Sequence, residues 1–465
     1  MDRPARAPLH TPTAGAVPRR AILQCAARAA GVAGAMAATG SLQPPAAMAQ
    51  GTRPTHLFTW TAPQPVMEGF GREISAFSRE AGRRVQHRHV PWPSYQDVVK
   101  GQLIGGASEV DVCLLSDSWL PEFAEKGWVG PIDAEPDLAR LIPDIRPHCR
   151  SGITFRGRQY GLPYYTDVIA FIYNRDLLRR AGIEEPPTSW DEVVAQSLRI
   201  QRLGLARVPL ALPLDDDPWL IEIITALAYA FGGRFVREDG SAAMADAEAG
   251  VLSMLDFLRD AMRGHRILSA FAHETAEPDV TEAMAEGEHV FALLPGYRLR
   301  TLNDPRQSRT AGDLRVALMP RGGARGAHAT VGWVRFFAAT RSALSDPQRR
   351  DGALRLMAAL GGPNVAGEYA FQRRLLIDAG LPSCALPLDQ DPAVTAEIHR
   401  WTSSPMVLHQ QAALARPKDL ICPWLSAWQR DGMAALRRAL AGDEDAGTAM
   451  RDAASRWNRM RDAHG

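Results

Sequence analysis

The sequence lacks the short motifs that mark the common enzyme classes. Its 465 residues contain no HExxH, GxSxG, P-loop or GxGxxG pattern. His273–Glu274 has no second histidine at the spacing that a zinc protease requires. Paired carboxylates for glycoside hydrolysis need only spatial proximity, so the sequence does not test for them. We therefore expect a protein that binds a ligand and is not an enzyme.

Cysteine is scarce and is not arranged for metal binding. After residue 50 the chain contains Cys113, Cys149, Cys384 and Cys422, and none belongs to a CxxC or a Cys/His cluster. We therefore expect no zinc site and no cofactor. Cys113 lies in an apolar predicted strand and is best interpreted as a small buried hydrophobic residue. An oxidising compartment would permit a disulfide, but the sequence does not reveal which cysteines would pair.

Long apolar runs and a strong net charge are also absent. Beyond the first fifty residues no window has about 18 uninterrupted apolar residues, so we expect no membrane-spanning segment. The formal net charge is +1, but residues 1–49 hold five arginines and one acid, which leaves 48 basic and 51 acidic residues in the remainder. No basic stripe indicates nucleic-acid binding.

Residues 1–49 have the composition of an export signal. Arg19–Arg20 stand before the apolar pair Ile22–Leu23, and a mildly apolar Ala/Gly-rich stretch follows. Ala47–Met48–Ala49 is a small-x-small site that predicts cleavage before Gln50. We interpret the segment as a twin-arginine-type signal peptide, with a disordered Ala/Pro-rich extension as the alternative. Cys25 does not fit a lipid attachment site, because Gln24 stands where that motif has Gly or Ala.

The body of the chain begins by alternating strands with helices. Apolar β-rich runs at 56–61, 85–90 and 110–115 are separated by helical patterns at 66–81 and 95–104, and a further helix at 120–126 precedes a strand-like run at 128–132. This alternation predicts an α/β fold with a parallel, doubly wound sheet. In such sheets ligands bind beyond the carboxyl ends of the strands.

The segment Gly161–Leu178, GLPYYTDVIAFIYNRDLL, is the most informative part of the sequence. An apolar run at 168–173 breaks at Asn174, and Ser189 with Glu192 forms a capping box that predicts a second helix. The segment resembles the hinge-crossing region of the extracellular solute-binding proteins of ABC importers, in particular the maltose-binding-protein-like group that binds sugars. The match consists of Pro163, Tyr164, Asp167, Tyr173, Asn174, Asp176 and Leu177.

The resemblance implies a two-lobed periplasmic-binding-protein fold of type II, in which each lobe is a mixed sheet flanked by helices and several strands form the hinge. It places lobe 1 at 50–166 and 332–384, and lobe 2 at 167–331 and 385–465. It also implies a function: a monomeric periplasmic protein that captures a carbohydrate and delivers it to an ABC-transporter permease.

Sugar binding needs planar aromatic surfaces for the C–H faces and polar side chains for the hydroxyl rim. A buried polar group without a partner costs about 1–3 kcal/mol, which makes such a site selective. By position after strands, or by the resemblance, the candidate ligand-binding residues are Trp60, Ser116, Asp117, Tyr165, Asp167, Trp219, Tyr297, Gly332, Trp333 and Trp424.

Several candidates have structural alternatives. Trp60 can pack over the first helix, Asp117 can be a solvated N-cap, and Trp424 can belong to a core. Trp119 is better explained as core than as ligand platform. The acidic run at 215–217 before Trp219 is interpreted as a solvated loop, since its spacing does not match a calcium-binding EF-hand.

The ligand class also has alternatives. A glycerol phosphodiester would need convergent arginines, for which Arg298, Arg300 and Arg335 are available. A polyamine would need carboxylates among aromatic walls, and ferric iron would need a tyrosine pair such as Tyr164–Tyr165. A sensor that uses the same scaffold without transport is the remaining alternative.

Overall fold

The structure is a computed structural model that describes residues 53–106, 108–215, 220–248, 250–402 and 404–464. The predicted signal peptide with Cys25, and Asp216, Asp217 and Trp219, lie outside the described residues. The predictions made for these positions therefore remain predictions.

The first part of the described chain alternates strands and helices, as the periodicity predicts. Apolar residues at helical spacing, among them Val66, Phe70 and Phe77, face the core from the first helix, which ends at Gly82 in the left-handed conformation. The elements are β1 (Thr55–Trp60), α1 (Gln64–Ala81), β2 (Val85–Val90), α2 (Trp92–Ile104), β3 (Val112–Ser116), α3 (Leu120–Glu125), α4 (Pro136–Ala139), α5 (Pro147–Gly152), β4 (Thr154–Phe155) and β5 (Arg158–Gln159).

The middle of the chain begins with a long strand. The elements are β6 (Gly161–Asn174), α6 (Arg175–Arg180), α7 (Trp190–Arg202), β7 (Leu210–Ala211), α8 (Leu220–Ala230), α9 (Val251–Arg259), α10 (Glu277–Glu286), β8 (Phe291–Pro295), α11 (Arg298–Leu302), β9 (Leu314–Ala317) and β10 (Thr330–Ala339). The N-cap bond of the predicted capping box is present at the start of α7, because the Ser189 hydroxyl accepts a hydrogen bond from the Glu192 amide at 3.2 Å. The Glu192 carboxylate accepts from the Thr188 amide at 2.6 Å.

The last part is mostly helical. Its elements are α12 (Arg341–Ser345), α13 (Pro347–Gly361), α14 (Ala370–Ala379), α15 (Pro392–Trp401), α16 (Pro405–Ala413), β11 (Ala415–Arg416), α17 (Leu425–Ala441) and α18 (Ala446–His464). The sequence patterns predicted α13 and the position of α14, but they assigned no helix after residue 385.

The main sheet has the strand order β2-β1-β3-β10-β6-β8-β7, with β11 paired to β10 and β9 paired to β6. β1 runs parallel to both β2 and β3, whereas β10 is antiparallel to β3 and β6. The sheet is therefore mixed, as the family resemblance implied. The parallel pairing predicted from the strand–helix alternation holds for β1, β2 and β3, and β7–β8 and β10–β11 also pair in parallel.

Strands β6 and β10 cross the middle of the molecule, and we call them the crossing strands. Their antiparallel register runs from Gly332 opposite Val168 to Ala338 opposite Gly161, with a register shift between Arg335 and Phe336. All ten residues of β10 and all but one of the fourteen residues of β6 are buried. A strand that is buried on both faces shows no polar–apolar alternation, which explains the continuous apolar run in the sequence.

The hydrophobic core is divided on the two sides of the crossing strands. One core draws its residues from 57–165 and 334–384, and a second draws them from 169–333 and 420–457. A third, smaller cluster lies between residues 170 and 401. The molecule thus has the two-lobed architecture of a type II periplasmic binding protein, which confirms the predicted fold class.

Some local predictions differ from the structure. The strand predicted at 128–132 is reduced to a single bridge between Val129 and Thr340, because the chain there turns away after one pairing. Within the described ranges, no helix combines the length and the hydropathy that crossing a membrane would require. The same ranges contain no group of three or more metal-ligating side chains arranged to hold an ion.

Candidate ligand-binding cleft

Four oppositely charged side chains meet between the two lobes, and we call them the ion quartet. Asp117 follows β3, Arg335 lies on β10, Glu222 lies in the first turn of α8, and Lys418 follows β11. None of these side chains is more than 3% exposed. Charged residues are almost never fully buried unless they are paired, so the quartet is an unusual feature of this fold.

Each cation of the quartet contacts both carboxylates. The Arg335 guanidinium lies 3.2 Å from Asp117 Oδ1 and 3.3 Å from Glu222 Oε1. Lys418 Nζ lies 3.4 Å from Asp117 Oδ1 and 3.3 Å from Glu222 Oε1. The formal charges of the four groups cancel. Glu222 Oε2 is also buried, and it accepts no hydrogen bond from any residue that the structure describes.

The end of β3 holds Asp117 in place. Ser116, the last residue of β3, accepts a hydrogen bond from Arg335 at 2.8 Å, and Asp117 Oδ1 accepts one from the Ser118 amide at 2.8 Å. Ser116 caps the short 3₁₀ turn that follows, so the alternative of Asp117 as a solvated N-cap is wrong: its side chain is buried.

Backbone contacts before and after Lys418 hold the loop that carries it. Strand β11, just before it, pairs with the beginning of β10. The Tyr229 hydroxyl donates to the Pro417 carbonyl at 2.8 Å and accepts from the Asp419 amide at 2.9 Å. The Asp419 carboxylate accepts from the amides of Phe235 and Val236. These bonds fix the backbone on either side of Lys418.

Aromatic rings surround the ion quartet on the lobe 1 side. Trp60 packs edge-on against Trp92 at 5.0 Å between ring centroids and against Tyr95 at 5.3 Å, and Trp92 stacks on Trp119 at 5.3 Å. The Arg335 guanidinium lies 5.7 Å from the ring centroids of both Trp92 and Trp333. The Trp60 ring therefore packs against two aromatic residues of α2.

Four of the ten predicted site residues lie on the crossing strands. Tyr165 is opposite Arg335 in the β6–β10 register, Trp333 is opposite Asp167, and Gly332 is opposite Val168. Trp424 lies elsewhere: it precedes α17 and packs against Trp457 of α18 at 5.8 Å between ring centroids.

Asp167 is bonded to backbone at the point where β6 leaves the crossing region. Its carboxylate oxygens accept from the Val168 amide and the Tyr297 amide, each at 2.8 Å. Burial raises the pKa of this carboxyl to about 7, against the opposing effect of the backbone hydrogen bonds from Tyr297, Val168 and Gly296. Asp167 thus ties the crossing strand to the turn that follows β8.

Arg298, next to Tyr297, belongs to a second charge pair, of which only the glutamate is fully buried. Arg298 donates two hydrogen bonds of 2.6 Å to the buried Glu277 carboxylate, and its guanidinium lies 5.1 Å from the Tyr297 ring centroid. Arg300 lies 3.8 Å from Glu397. Two of the three arginines considered for a phosphate ligand are therefore paired outside the ion quartet.

Sequence reasoning missed Glu222 and Lys418, and it considered Arg335 only for a phosphate. Two sequence features point to them. Glu222 is the single charged residue in the apolar helix LIEIITALAYA, which is buried throughout. Lys418 is one of only three lysines in a chain with 53 basic residues, the others being Lys100 and Lys126.

A polar contact joins the two lobes at the rim of the quartet. The Ser426 hydroxyl at the start of α17 donates to Glu122 Oε2 of α3 at 2.7 Å. Lys100 of α2 lies 2.8 Å from the same oxygen. The lobes therefore contact each other both at the quartet and at this rim.

Two lobes joined by crossing strands, with buried polar groups between them, define the class of periplasmic solute-binding proteins. A family model described as bacterial extracellular solute-binding protein matches residues 60–343, which is more than half of the chain. The chain belongs to this family, and this confirms the resemblance seen in the sequence.

Individual relatives are more distant. A putative binding protein of Brucella abortus is 27% identical over 161 residues, which cover 33% of this chain and 37% of the relative. The maltotriose-binding protein of Pyrococcus abyssi is 27% identical over 143 residues, 31% of this chain and 29% of the relative. The matched regions thus span only 29–37% of these relatives' length.

A solved structure extends the similarity to nearly the whole fold. Maltose-bound MalE3 of T. maritima superposes with a TM-score of 0.76 at 20% sequence identity, covering 88% of this chain and all of that chain. At this identity the likeness is one of fold.

Proposed function

We propose that this protein is the substrate-binding component of an ABC importer and that it captures an uncharged carbohydrate between its two lobes. The proposed ligand contacts are Asp117, Glu222, Arg335 and Lys418 for the hydroxyl groups, with Trp60, Tyr165 and Trp333 as aromatic walls. The family membership supports the binding class, and the maltotriose-binding relative supports a sugar ligand.

The observation that carries the proposal is the neutrality of the buried ion quartet. Two carboxylates and two cations offer both acceptors and donors, which is what the hydroxyl rim of a sugar requires. The unpartnered Glu222 Oε2 is a buried acceptor, and a ligand hydroxyl would satisfy it. The adjacent indole and phenol rings supply surfaces for the C–H faces of a sugar.

The same neutrality argues against the charged alternatives. A phosphodiester needs a surplus of cations, but Arg335 is already shared between Asp117 and Glu222. A polyamine needs a surplus of carboxylates, but both carboxylates already contact Lys418. Ferric iron would need a phenolate, but burial raises the pKa of Tyr164 well above its usual value.

Further parts of the proposal follow from the family and from the cores. We propose export by the twin-arginine route, a periplasmic location, a monomeric state and delivery to a membrane permease, with no catalytic step. The two main cores fall on residues 57–165 with 334–384 and on 169–333 with 420–457, and this distribution supports the proposed lobe boundaries at 166, 331 and 384.

The test is a ligand screen by thermal shift followed by titration calorimetry. The panel contains mono- and oligosaccharides, polyols, a glycerol phosphodiester, spermidine and ferric citrate. A true ligand at about 100 times its dissociation constant adds about 2.7 kcal/mol to folded-state stability. We expect a shift with a carbohydrate and none with the charged compounds.

Matched variants connect the ligand to the quartet. Glu222→Gln keeps the shape of the side chain but removes one acceptor charge, so we expect at least a tenfold loss of carbohydrate affinity. Lys126→Met changes an exposed lysine and should leave the affinity unchanged. A shift only with the phosphodiester or spermidine, or unchanged affinity in Glu222→Gln, would contradict the proposed site. No response to any compound would favour the sensor alternative.

A further inference from the structure

Two cysteines from distant parts of the chain meet behind the crossing strands. Cys149 lies in α5, and Cys384 lies in the segment that returns from α14. The Arg146 amide donates to the Cys384 carbonyl at 2.9 Å, and Ile145 forms an antiparallel bridge with Ala385. The backbone pairing thus holds the return segment against the start of α5, and both side chains are buried.

The two sulfur atoms share one polar network. The Cys384 thiol hydrogen-bonds the Cys149 sulfur, and Cys149 Sγ also lies 3.2 Å from His148 Nε2. The His148 ring lies 3.2 Å from the Thr166 hydroxyl, which donates to the Trp333 carbonyl at 2.7 Å. The cysteine pair is therefore connected through two side chains to both crossing strands.

The network makes the two thiols chemically different. Burial raises the pKa of Cys149, but the hydrogen bonds from Cys384 and His148 outweigh burial and bring the pKa to about 6. Burial, followed by the contact with Cys149, raises the pKa of Cys384 well above its usual value. The two thiols thus interact in the folded chain, and the interaction shifts their pKa values in opposite directions.

We propose that Cys149 and Cys384 form a disulfide bond when the chain folds in an oxidising compartment, and that this bond fastens the return segment to α5 behind the crossing strands. The oxidising compartment in this proposal follows from the proposed export of the protein. The oxidant is a disulfide RSSR, such as oxidised glutathione or a disulfide-bearing oxidoreductase.

The exchange is balanced in two steps. The Cys149 thiolate attacks one sulfur of RSSR and displaces RS⁻, which forms a mixed disulfide. Cys384 then loses its proton and attacks Cys149 Sγ, which displaces the second RS⁻. Two protein thiols are oxidised and one RSSR is reduced to two RSH. Because both sulfurs are buried in the folded chain, this reaction belongs to folding, before the return segment closes over α5.

The test uses the full chain, unfolded and reduced in denaturant and then refolded in a buffer of oxidised and reduced glutathione. After quenching, denaturation and titration with a thiol reagent, we expect two fewer thiols than in the fully reduced chain. Non-reducing peptide mapping should find Cys149 linked to Cys384. Retention of all thiols, or a link that involves Cys113 or Cys422, would overturn the proposal.

Two variants complete the test. Cys149→Ser should abolish the loss of two thiols, whereas Cys113→Ser should leave that loss unchanged, because Cys113 lies in β3 and takes no part in the proposed link. Circular dichroism establishes that each variant has refolded, and the wild-type count and peptide map decide the question if Cys149→Ser does not fold. This readout requires neither ligand nor export. A carbohydrate screen without a ligand would therefore not contradict the disulfide proposal. A chain that keeps all its thiols would likewise not contradict the binding proposal.

Discussion

Replacement of Lys418 by methionine tests whether the ion quartet is held together by its charges. Lys418 Nζ is 3.4 Å from Asp117 and 3.3 Å from Glu222, and its side chain is fully buried. At an effective dielectric constant of about 20, each contact corresponds to about 5 kcal/mol of Coulomb attraction. The desolvation of the three groups offsets much of that attraction.

The cost of Lys418→Met comes from the carboxylates that it leaves behind. With one cation removed, two buried carboxylates share only Arg335, and the site carries an uncompensated negative charge. Breaking a buried ion pair by removing one partner costs about 3–5 kcal/mol. We expect a loss of that size in the free energy of unfolding, measured by urea denaturation of the ligand-free protein.

The control and a double variant make the result interpretable. Lys126→Met removes an exposed lysine and should change stability by no more than about 0.5 kcal/mol. Lys418→Met combined with Glu222→Gln restores formal neutrality, so the double variant should be more stable than the sum of the two single losses predicts, by about 0.5–3 kcal/mol. If Lys418→Met costs no more than Lys126→Met, the electrostatic reasoning is refuted.

Three further predictions concern the hinge and the rim. Because folding raises the pKa of Asp167 from 3.8 to about 7, the native state holds a proton that the unfolded chain releases above about pH 4. The proton on Asp167 thus contributes about 4 kcal/mol to the free energy of unfolding. This contribution is fully present below pH 4 and is lost as the pH rises through 7. Asp167→Asn should flatten the pH dependence of the urea midpoint over that window, and an unchanged slope would contradict the assignment. In Gly296→Ala the new Cβ would lie 2.6 Å from Asp167 Oδ1, so we expect a loss of about 1–3 kcal/mol in urea. Gly71→Ala is the matched control, because a Cβ at this exposed position of α1 would meet nothing within 4 Å. It should stabilise the protein by about 0.5–1 kcal/mol. If Gly296→Ala and Gly71→Ala change the stability equally, the steric argument is refuted. Ser426→Ala removes the hydroxyl that donates to the Glu122 carboxylate between the lobes. It should weaken binding of the carbohydrate identified in the screen by about tenfold in calorimetry, since hydrogen bonds to charged groups contribute about 1.5–3 kcal/mol; an unchanged affinity would show that this contact does not favour the closed lobes.

The fold was predictable where local pattern and tertiary environment agree. β2 and α1 show clear periodicity because each has a more buried and a more solvated face, whereas β1 is buried at five of its six positions and appears as an apolar run. The long strand β6 was predicted only over its apolar second half. Its first half, Gly161–Asp167, is buried at every position, so it shows no alternation between apolar residues and solvent-facing polar residues. The mixed direction of the sheet followed from the family resemblance and not from the local pattern, since β10 enters between β3 and β6 from far along the chain.

The candidate site was predictable only in part, for a related reason. Ser116 and Asp117 follow a strand, and position after a strand is a local signal. Glu222 and Lys418 are separated by almost two hundred residues and meet only because the Tyr229 hydroxyl anchors the loop of Lys418 to α8. Tertiary contacts of this kind leave no periodic trace, although a single acid in an apolar helix is a local anomaly that deserves notice.

The scarcity of lysine has a practical consequence for labelling. Of the three lysines, Lys418 is fully buried, the Lys100 side chain is 16% exposed and bound to Glu122, and Lys126 is exposed at the end of α3. Amine-reactive dyes should therefore modify Lys126 and the terminal amine first. Since Lys126 lies just beyond the helix that carries Glu122, a dye on it would sit close to the contact between Ser426 and Glu122. The native sequence thus supplies an attachment point for a fluorescent probe of the contact between the lobes without an engineered cysteine.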